Sequence, residues 1–355
     1  MDVADFDFEL PEQLIAQDPP PERGGSRLLV LNRNTGDVED AMFADIGRYL
    51  VAGDLLVVNN TRVFPARLLG RRDPSGGEVE CMLIGQLPTP NLQLPNMEEW
   101  DVLMHPGQKL KPGARVLFVG DGVTLRGEVH AAHHYGRRTV RLWSEKGLDV
   151  RAAIDRLGHI PLPPYIRRED RPSDRERYQT VYARDSGSVA APTAGLHFTT
   201  ATLTDLCARG IDVAEITLHV GYGTFKPVRG NTVEDHIVDA EALTVSPDAA
   251  DALTQALREQ RRIIAVGTTT TRALESLTID AGRVLPAAGQ TDLFIKPGHS
   301  FRLVSGMITN FHLPRSSLLM LVAAFAQREP VLAAYRHAVA ANYRFYSYGD
   351  AMLIV

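Results

Sequence analysis

Between about Val63 and Val150 the chain breaks into six short alternating segments, and no other feature limits its fold as tightly. They run Ala66 to Gly70, Glu78 to Ile84, Trp100 to His105, Arg115 to Val119, Val123 to His133 and Arg138 to Trp143. Turn chemistry separates them: Ser75-Gly76-Gly77, Pro106-Gly107, Pro112-Gly113 and Tyr135-Gly136. Short, regularly spaced strands with no helical period predict a small β-barrel or sandwich. The Pro-, Asn- and Gln-rich stretch from Gln86 to Glu99 predicts a mobile loop within that module.

The flanks read differently. An extended segment and short helix are expected over Phe6 to Gln17. Leu28-Leu29-Val30-Leu31 and Leu55-Leu56-Val57-Val58 are continuous apolar runs, the pattern of strands covered on both faces. Later, Thr199 or Thr200 can cap a helix ending at Gly210. Ser246-Pro247 opens another that runs to about Arg261, followed by a strand at Ile263 to Val266. Ser316 can cap an apolar helix over Leu318 to Ala326, and Val331 to Asn342 reads as a further helix. The expected architecture is α/β (α+β). Residues 1–62 and 151–355 form one discontinuous domain, and residues 63–150 are an inserted β-module.

Composition narrows the function classes. Apolar residues make up 44 % and charged residues 23 %, which excludes disorder as the main state. The 38 Lys and Arg against 43 Asp and Glu give a net charge of −5, so a nucleic-acid partner would need a local basic patch. Residues 62–150 carry 12 basic against 10 acidic side chains, a weak tilt towards such a patch. The candidates are Arg71 and Arg72 in the β-module, and Arg167 and Arg168 beyond it. With Cys81 and Cys207 as the only thiols, neither a disulfide framework nor a Cys-based zinc site is expected, and the count suits a reducing cytoplasm. No signal peptide and no membrane span are expected.

There is no P-loop, His-Glu-x-x-His, Gly-x-Ser-x-Gly or Gly-x-Gly-x-x-Gly sequence. What remains are four short segments after apolar runs, dense in Gly, Thr, His and Pro. The first is Ala190 to Phe198, with Thr193, Gly195 and His197. The second is Thr217 to Lys226, in which strand alternation puts Thr217 and His219 on one face, with Gly221 and Gly223 following. The third is Ala265 to Arg272, a buried strand opening into four threonines and a helix. The fourth is Ile308 to Ser317, with Asn310 and His312 ahead of an apolar helix. Each could be an ordinary turn with a satisfied histidine, or the wall of a ligand site at a strand-to-helix junction. The run Tyr343 to Asp350 fits either base stacking or a core edge beside a snorkelling arginine.

In combination and in order, these segments resemble one family, the S-adenosylmethionine:tRNA ribosyltransferase-isomerases of queuosine biosynthesis. The likeness begins with Phe6-Asp7-Phe8-Glu9-Leu10-Pro11 and Ser26 to Val30. It continues through Asn59-Asn60-Thr61-Arg62-Val63, Ile160 to Ile166, Tyr178 to Ala183 and Pro192 to Phe198. The Thr217 to Lys226 segment, Thr309 to Pro314 and Tyr348 to Leu353 complete it. Where the family often has His-x-Met-His-Ser-Glu this chain has His236-Ile237-Val238-Asp239-Ala240-Glu241, so an acid/base role for that second histidine is not carried over to Asp239.

The resemblance implies a discontinuous α/β domain with an inserted closed β-barrel. It implies transfer and isomerisation of the ribosyl portion of S-adenosylmethionine onto 7-aminomethyl-7-deazaguanine at the tRNA wobble position. Epoxyqueuosine, adenine and methionine result. S-adenosylmethionine is then a consumed co-substrate, with no bound cofactor and no metal, and the enzyme is expected as a cytoplasmic monomer, a homodimer being the alternative. The sulfonium acidifies the adjacent ribose carbon, so a near-neutral base is needed, and His219, His197 and His312 are the candidates in that order. Asp350 or Glu275 could protonate the departing adenine. Thr193, Gly195, Thr217, Gly221, Gly223, Lys226, Thr268, Thr269, Arg272 and Asn310 complete the expected substrate contacts. Two other classes stay open: an S-adenosylmethionine hydrolase or methyltransferase, and a non-catalytic RNA-binding module.

Overall fold

The two apolar runs near the N-terminus become two strands of one large sheet, separated by three others. In the computed structural model, which describes residues 1–88, 97–225, 228 and 230–355, the chain forms 19 strands. The first four are β1 (Arg27–Leu31), β2 (Val38–Met42), β3 (Leu55–Asn59) and β4 (Thr61–Val63). Then come β5 (Arg67–Asp73), β6 (Glu78–Gln86), β7 (Met97–His105), β8 (Arg115–Gly120), β9 (Val123–Ala132) and β10 (Arg137–Ser144). After these lie β11 (Asp185–Ser188), β12 (Asp212–Leu218), β13 (Glu241–Val245), β14 (Ile263–Val266) and β15 (Ile279–Asp280). The remainder are β16 (Arg283–Val284), β17 (Ala287–Thr291), β18 (Gly306–Asn310) and β19 (Ala351–Ile354). The helices are α1 (Val150–Leu157), α2 (Asp174–Arg177), α3 (Thr200–Ala208), α4 (Pro247–Arg258), α5 (Thr268–Glu275), α6 (Ser317–Ala326) and α7 (Arg328–Ala340).

Nine strands make the main sheet, in the order β17-β13-β12-β3-β14-β18-β19-β1-β2. At its centre β12, β3, β14 and β18 run parallel, so their carboxyl ends open on the same side. Alternation within the apolar run of β3 sends Leu55 and Val57 into the larger core, beneath α4 to α7, and Leu56 and Val58 into a second core with Phe43 and Phe198. A strand apolar on both sides is what a sheet covered on both faces requires.

The six alternating segments pair antiparallel as a closed barrel, β10-β7-β6-β5-β8-β9. Leu68, Cys81, Leu83, Val102, Leu125, Val140 and Leu142 fill it and are fully buried. Helix α1 adds Val150, Ala153 and Ile154 to that core, so the packing of the barrel runs past residue 150. Of the expected loop 86–99, residues 89–96 lie outside the described residues, and strand pairing reaches Gln86 on one side and Met97 on the other.

The three expected caps are made. Thr199, Ser246 and Ser316 each accept a backbone N–H at the start of α3, α4 and α6. Of the extended segment and short helix expected over Phe6 to Gln17, the helix is a 3-10 turn, Glu12–Leu14, behind an extended Pro11, and a further 3-10 turn, Val3–Phe6, precedes the segment. Helix α4 stops at Arg258 rather than Arg261, since Gln260 takes a positive φ of 54°. Among the described residues no single helix is long and apolar enough to cross a membrane.

Candidate functional site

Neighbouring strands β14 and β18 each end in a polar turn, and between these turns lies a large cavity, about 880 Å3. After β14 the chain turns through Gly267, at φ 98°, a left-handed value that a side chain would oppose. Helix α5 then starts at Thr268, and both Thr268 and Thr269 face the cavity. Beyond β18, Asn310 and His312 form the adjoining wall, and Ser316 and Ser317 at the start of α6 close one side. Two helix N-termini, those of α5 and α6, therefore converge on one space and favour electronegative ligand groups there. Ala190 to Ala194, with Thr193, supply a small-residue rim.

Opposite lies an aromatic wall, Tyr165 and Tyr346, with ring centroids 4.1 Å apart. Tyr346 has φ 75°, an uncommon conformation for a bulky side chain and one held here by a backbone bond from its N–H to Phe311 O. Three buried polar atoms on the walls have no hydrogen-bond partner: Thr269 Oγ1, Asn310 Oδ1 and Tyr346 OH. Leaving such an atom unmet costs about 1–3 kcal/mol, so a cluster of three around one cavity points to a polar ligand or ordered water.

The three candidate histidines sit in different surroundings. His312 lines the cavity; its Nε2 is 2.9 Å from Thr309 Oγ1, and no described residue bonds its Nδ1. Burial pushes its pKa down to about 3, so the ring is neutral. His197 is buried behind the cavity, with Ser26 Oγ 2.7 Å from Nδ1 and Asn310 Nδ2 3.1 Å from Nε2. Burial above all, with Arg344 and Arg23 nearby, pushes its pKa down to about 3. His219 does not line the cavity. As its alternation foretells, it shares a face with Thr217, beside Asn60, Thr61 and Asp185; its Nδ1 lies 2.8 Å from Thr61 Oγ1. Burial lowers its pKa, against an opposing effect from Asp185.

Both candidate acids are committed to backbone. Asp350 accepts from the N–H groups of Arg27 and Arg344, and Glu275 from those of Arg302, Leu303 and Val304. Neither lines the cavity. Arg272 lines a small annex next to Thr268 and Thr269, where it forms a buried ion pair with Glu241, and desolvation lowers its pKa to about 10. Gly221 donates its N–H to Glu241 Oε1. Gly195 and Gly223 leave room for the Tyr182 hydroxyl and the Asp239 carboxylate rather than for the cavity. Lys226 lies outside the described residues. Among the described residues no group of three or more His, Cys, Asp or Glu is placed to hold a metal ion.

The four arginines also separate. Arg71 is exposed on the barrel, and Arg72 is half-buried against Gly77. Arg167 is exposed and pairs with Glu12. Arg168 instead grips the buried Asp174 with two bonds of 2.7 and 2.9 Å, an internal strut that is not presented to a phosphate.

The sequence and fold have counterparts in known proteins. The family model described as queuosine biosynthesis protein matches residues 3–354. A relative from Carboxydothermus hydrogenoformans, named S-adenosylmethionine:tRNA ribosyltransferase-isomerase, is 50 % identical over 355 residues, all of both chains. One of the same name from Desulfitobacterium hafniense is 48 % identical over the same span. The crystal structure of an S-adenosylmethionine tRNA ribosyltransferase from Thermotoga maritima superposes with a TM-score of 0.54 at 35 % identity, covering 99 % of this chain and 100 % of that one. Matched from end to end in sequence and by a solved fold, the chain belongs to the queuosine biosynthesis protein family.

Proposed function

We propose that this chain transfers and isomerises the ribosyl group of S-adenosylmethionine onto 7-aminomethyl-7-deazaguanine at the tRNA wobble position, giving epoxyqueuosine-tRNA, adenine and methionine. The observation that carries it is the cavity between the ends of β14 and β18, with three unsatisfied polar atoms, in a chain that matches the family throughout. The paired N-termini of α5 and α6 suit the methionine carboxylate. The Tyr165–Tyr346 wall suits a stacked adenine. S-adenosylmethionine is consumed, and the reading requires no resident cofactor. The same reading places the enzyme in the cytoplasm with its tRNA, working as a single chain.

Chemically, the sulfonium makes the ribose C5′ proton acidic, and its removal starts ring opening with loss of adenine. His312 is the base in this reading, because it alone of the three histidines lines the cavity and its Nδ1 is uncommitted. A ring kept neutral by burial is already in the proton-accepting form. The substrate's own amine is the nucleophile, so no protein nucleophile is needed.

Product analysis with S-adenosylmethionine and precursor tRNA tests the proposal. Adenine release with ribosylated tRNA supports it; S-adenosylhomocysteine would mark a methyltransferase, and bound tRNA without turnover an RNA-binding module. His312→Gln should lower single-turnover adenine release about a hundredfold or more, with S-adenosylmethionine affinity nearly unchanged. Near-normal release in this variant would return the role to His219.

A further inference from the structure

The Asn310 side chain sits where a wrong amide rotamer would matter. Its residue is 2 % exposed, and it has two neighbours on one side, Tyr346 O and His197 Nε2, each 3.1 Å from Nδ2. A backbone carbonyl only accepts, so the NH2 group must face Tyr346. The same NH2 group then faces His197, whose Nε2 must accept as well. That leaves the proton on Nδ1, directed at Ser26 Oγ 2.7 Å away, with the Phe43 ring packed on the imidazole at 5.2 Å. The chain Ser26–His197–Asn310 therefore has one consistent arrangement, in which the buried, unpartnered Oδ1 points away from Tyr346 O and His197, on a residue that lines the cavity.

We infer that His197 is a positioning residue: accepting at Nε2, it locks the Asn310 amide so that Oδ1 is offered as a hydrogen-bond acceptor to an N–H or O–H group of the bound ligand. Only the identity of that ligand, S-adenosylmethionine, rests on the proposed function. A ring in this role neither gives nor takes the reacting proton. Its surroundings agree: the charged groups near it are Arg23 and Arg344, both cationic, and Arg23 is itself held by the carbonyls of Gln179 and Leu196. Either cation disfavours an imidazolium.

Two measurements test the inference. Long-range proton–nitrogen spectra of histidine-labelled protein, with His197 among the 11 histidines assigned by its loss in His197→Gln, should show the Nδ1–H tautomer unchanged from pH 5 to 8. Asn310→Asp puts an oxygen in place of the NH2 group, and should move the His197 proton to Nε2. An Nε2–H tautomer in the parent protein, titration within that range, or no tautomer change in Asn310→Asp would each overturn it. Second, His197→Leu removes the acceptor and should weaken S-adenosylmethionine binding roughly tenfold, as expected for one lost hydrogen bond. His197→Gln, whose amide oxygen falls near the Nε2 position, should recover most of that loss. Equal loss in both variants would overturn the inference, as would no loss in either. Failure of the parent protein to bind S-adenosylmethionine would instead refute the functional reading, and the tautomer spectra, which need no ligand, would decide the positioning separately.

Discussion

Two histidines kept neutral by burial make acid the informative perturbation. His197 and His312 are 4 % and 8 % exposed, and burial pushes both pKa values from the ordinary 6.5 down to about 3. In the unfolded chain each takes up a proton as the pH falls below about 6.5, whereas the folded chain stays unprotonated down to about 3. The unfolded state therefore binds more protons throughout that window, so stability is full above 6.5 and falls as the pH drops towards 3. Each histidine contributes a slope of about 1.4 kcal/mol per pH unit, hence about 2 kcal/mol apiece by pH 5. Against a typical total of roughly 5–15 kcal/mol, about 4 kcal/mol from the pair is a large share. The assay is urea unfolding at pH 7.0, 6.0, 5.5 and 5.0, above the main carboxylate titration. His197→Gln and His312→Gln should each lower the slope by about 1.4 kcal/mol per pH unit, whatever they do to stability at pH 7. Parallel pH profiles in parent and variants would refute the reasoning.

Arg168→Ala should cost about 3 kcal/mol of stability, because it strands the Asp174 carboxylate, 1 % exposed, without its bidentate partner; a normal melting curve would sink this. Arg71→Ala should leave stability alone and reduce the salt slope of tRNA binding by about one, and an unchanged slope would place the RNA surface off this part of the barrel. Excising residues 64–158 with a short Gly linker should leave a folded remainder with helical circular dichroism, since α1 packs with the barrel and Gly158 lies against the Pro65 carbonyl. A remainder with no far-ultraviolet signal would mean that barrel and sheet share one cooperative core.

The barrel was legible because its six strands carry alternation and turn residues together, and the caps at Thr199, Ser246 and Ser316 because a hydroxyl ahead of an apolar period is a local signal. Strand β2 was not, since every residue of it is exposed or half-buried, and neither was β17, whose Ala-Ala-Gly-Gln-Thr has little strand preference. Such edges form because a neighbour offers hydrogen bonds, not because their residues ask for them. The polar turns of the site were visible as clusters of small and hydroxyl residues. Which histidine faces the cavity was not, because alternation assigns a face without saying what covers it. Asp350 and Glu275 looked available as acids for the same reason: the N–H groups that occupy Asp350 include that of Arg27, nearly a whole chain away. Tyr346 gave only half a signal, an aromatic among aromatics, since it belongs to the same buried cluster as Tyr343 and Phe345 and only its place on the cavity wall sets it apart.

Strand β19 lies between β18 and β1, so Leu28 pairs with Ala351 and Leu31 with Ile354. During synthesis β1 emerges early and can pair at once only with β2, whose outer residues remain in water. Its other edge stays unpaired, and Leu28, Leu29 and Leu31 lack part of their cover, until residues 351–354 have been made. The barrel has no such delay, because its strands are contiguous in sequence and close on one another. A nascent chain of this kind matures from its insert outwards, carrying an apolar strand edge while it waits for a distant partner. That interval is when a holdase chaperone has the most to bind and when aggregation competes best with folding.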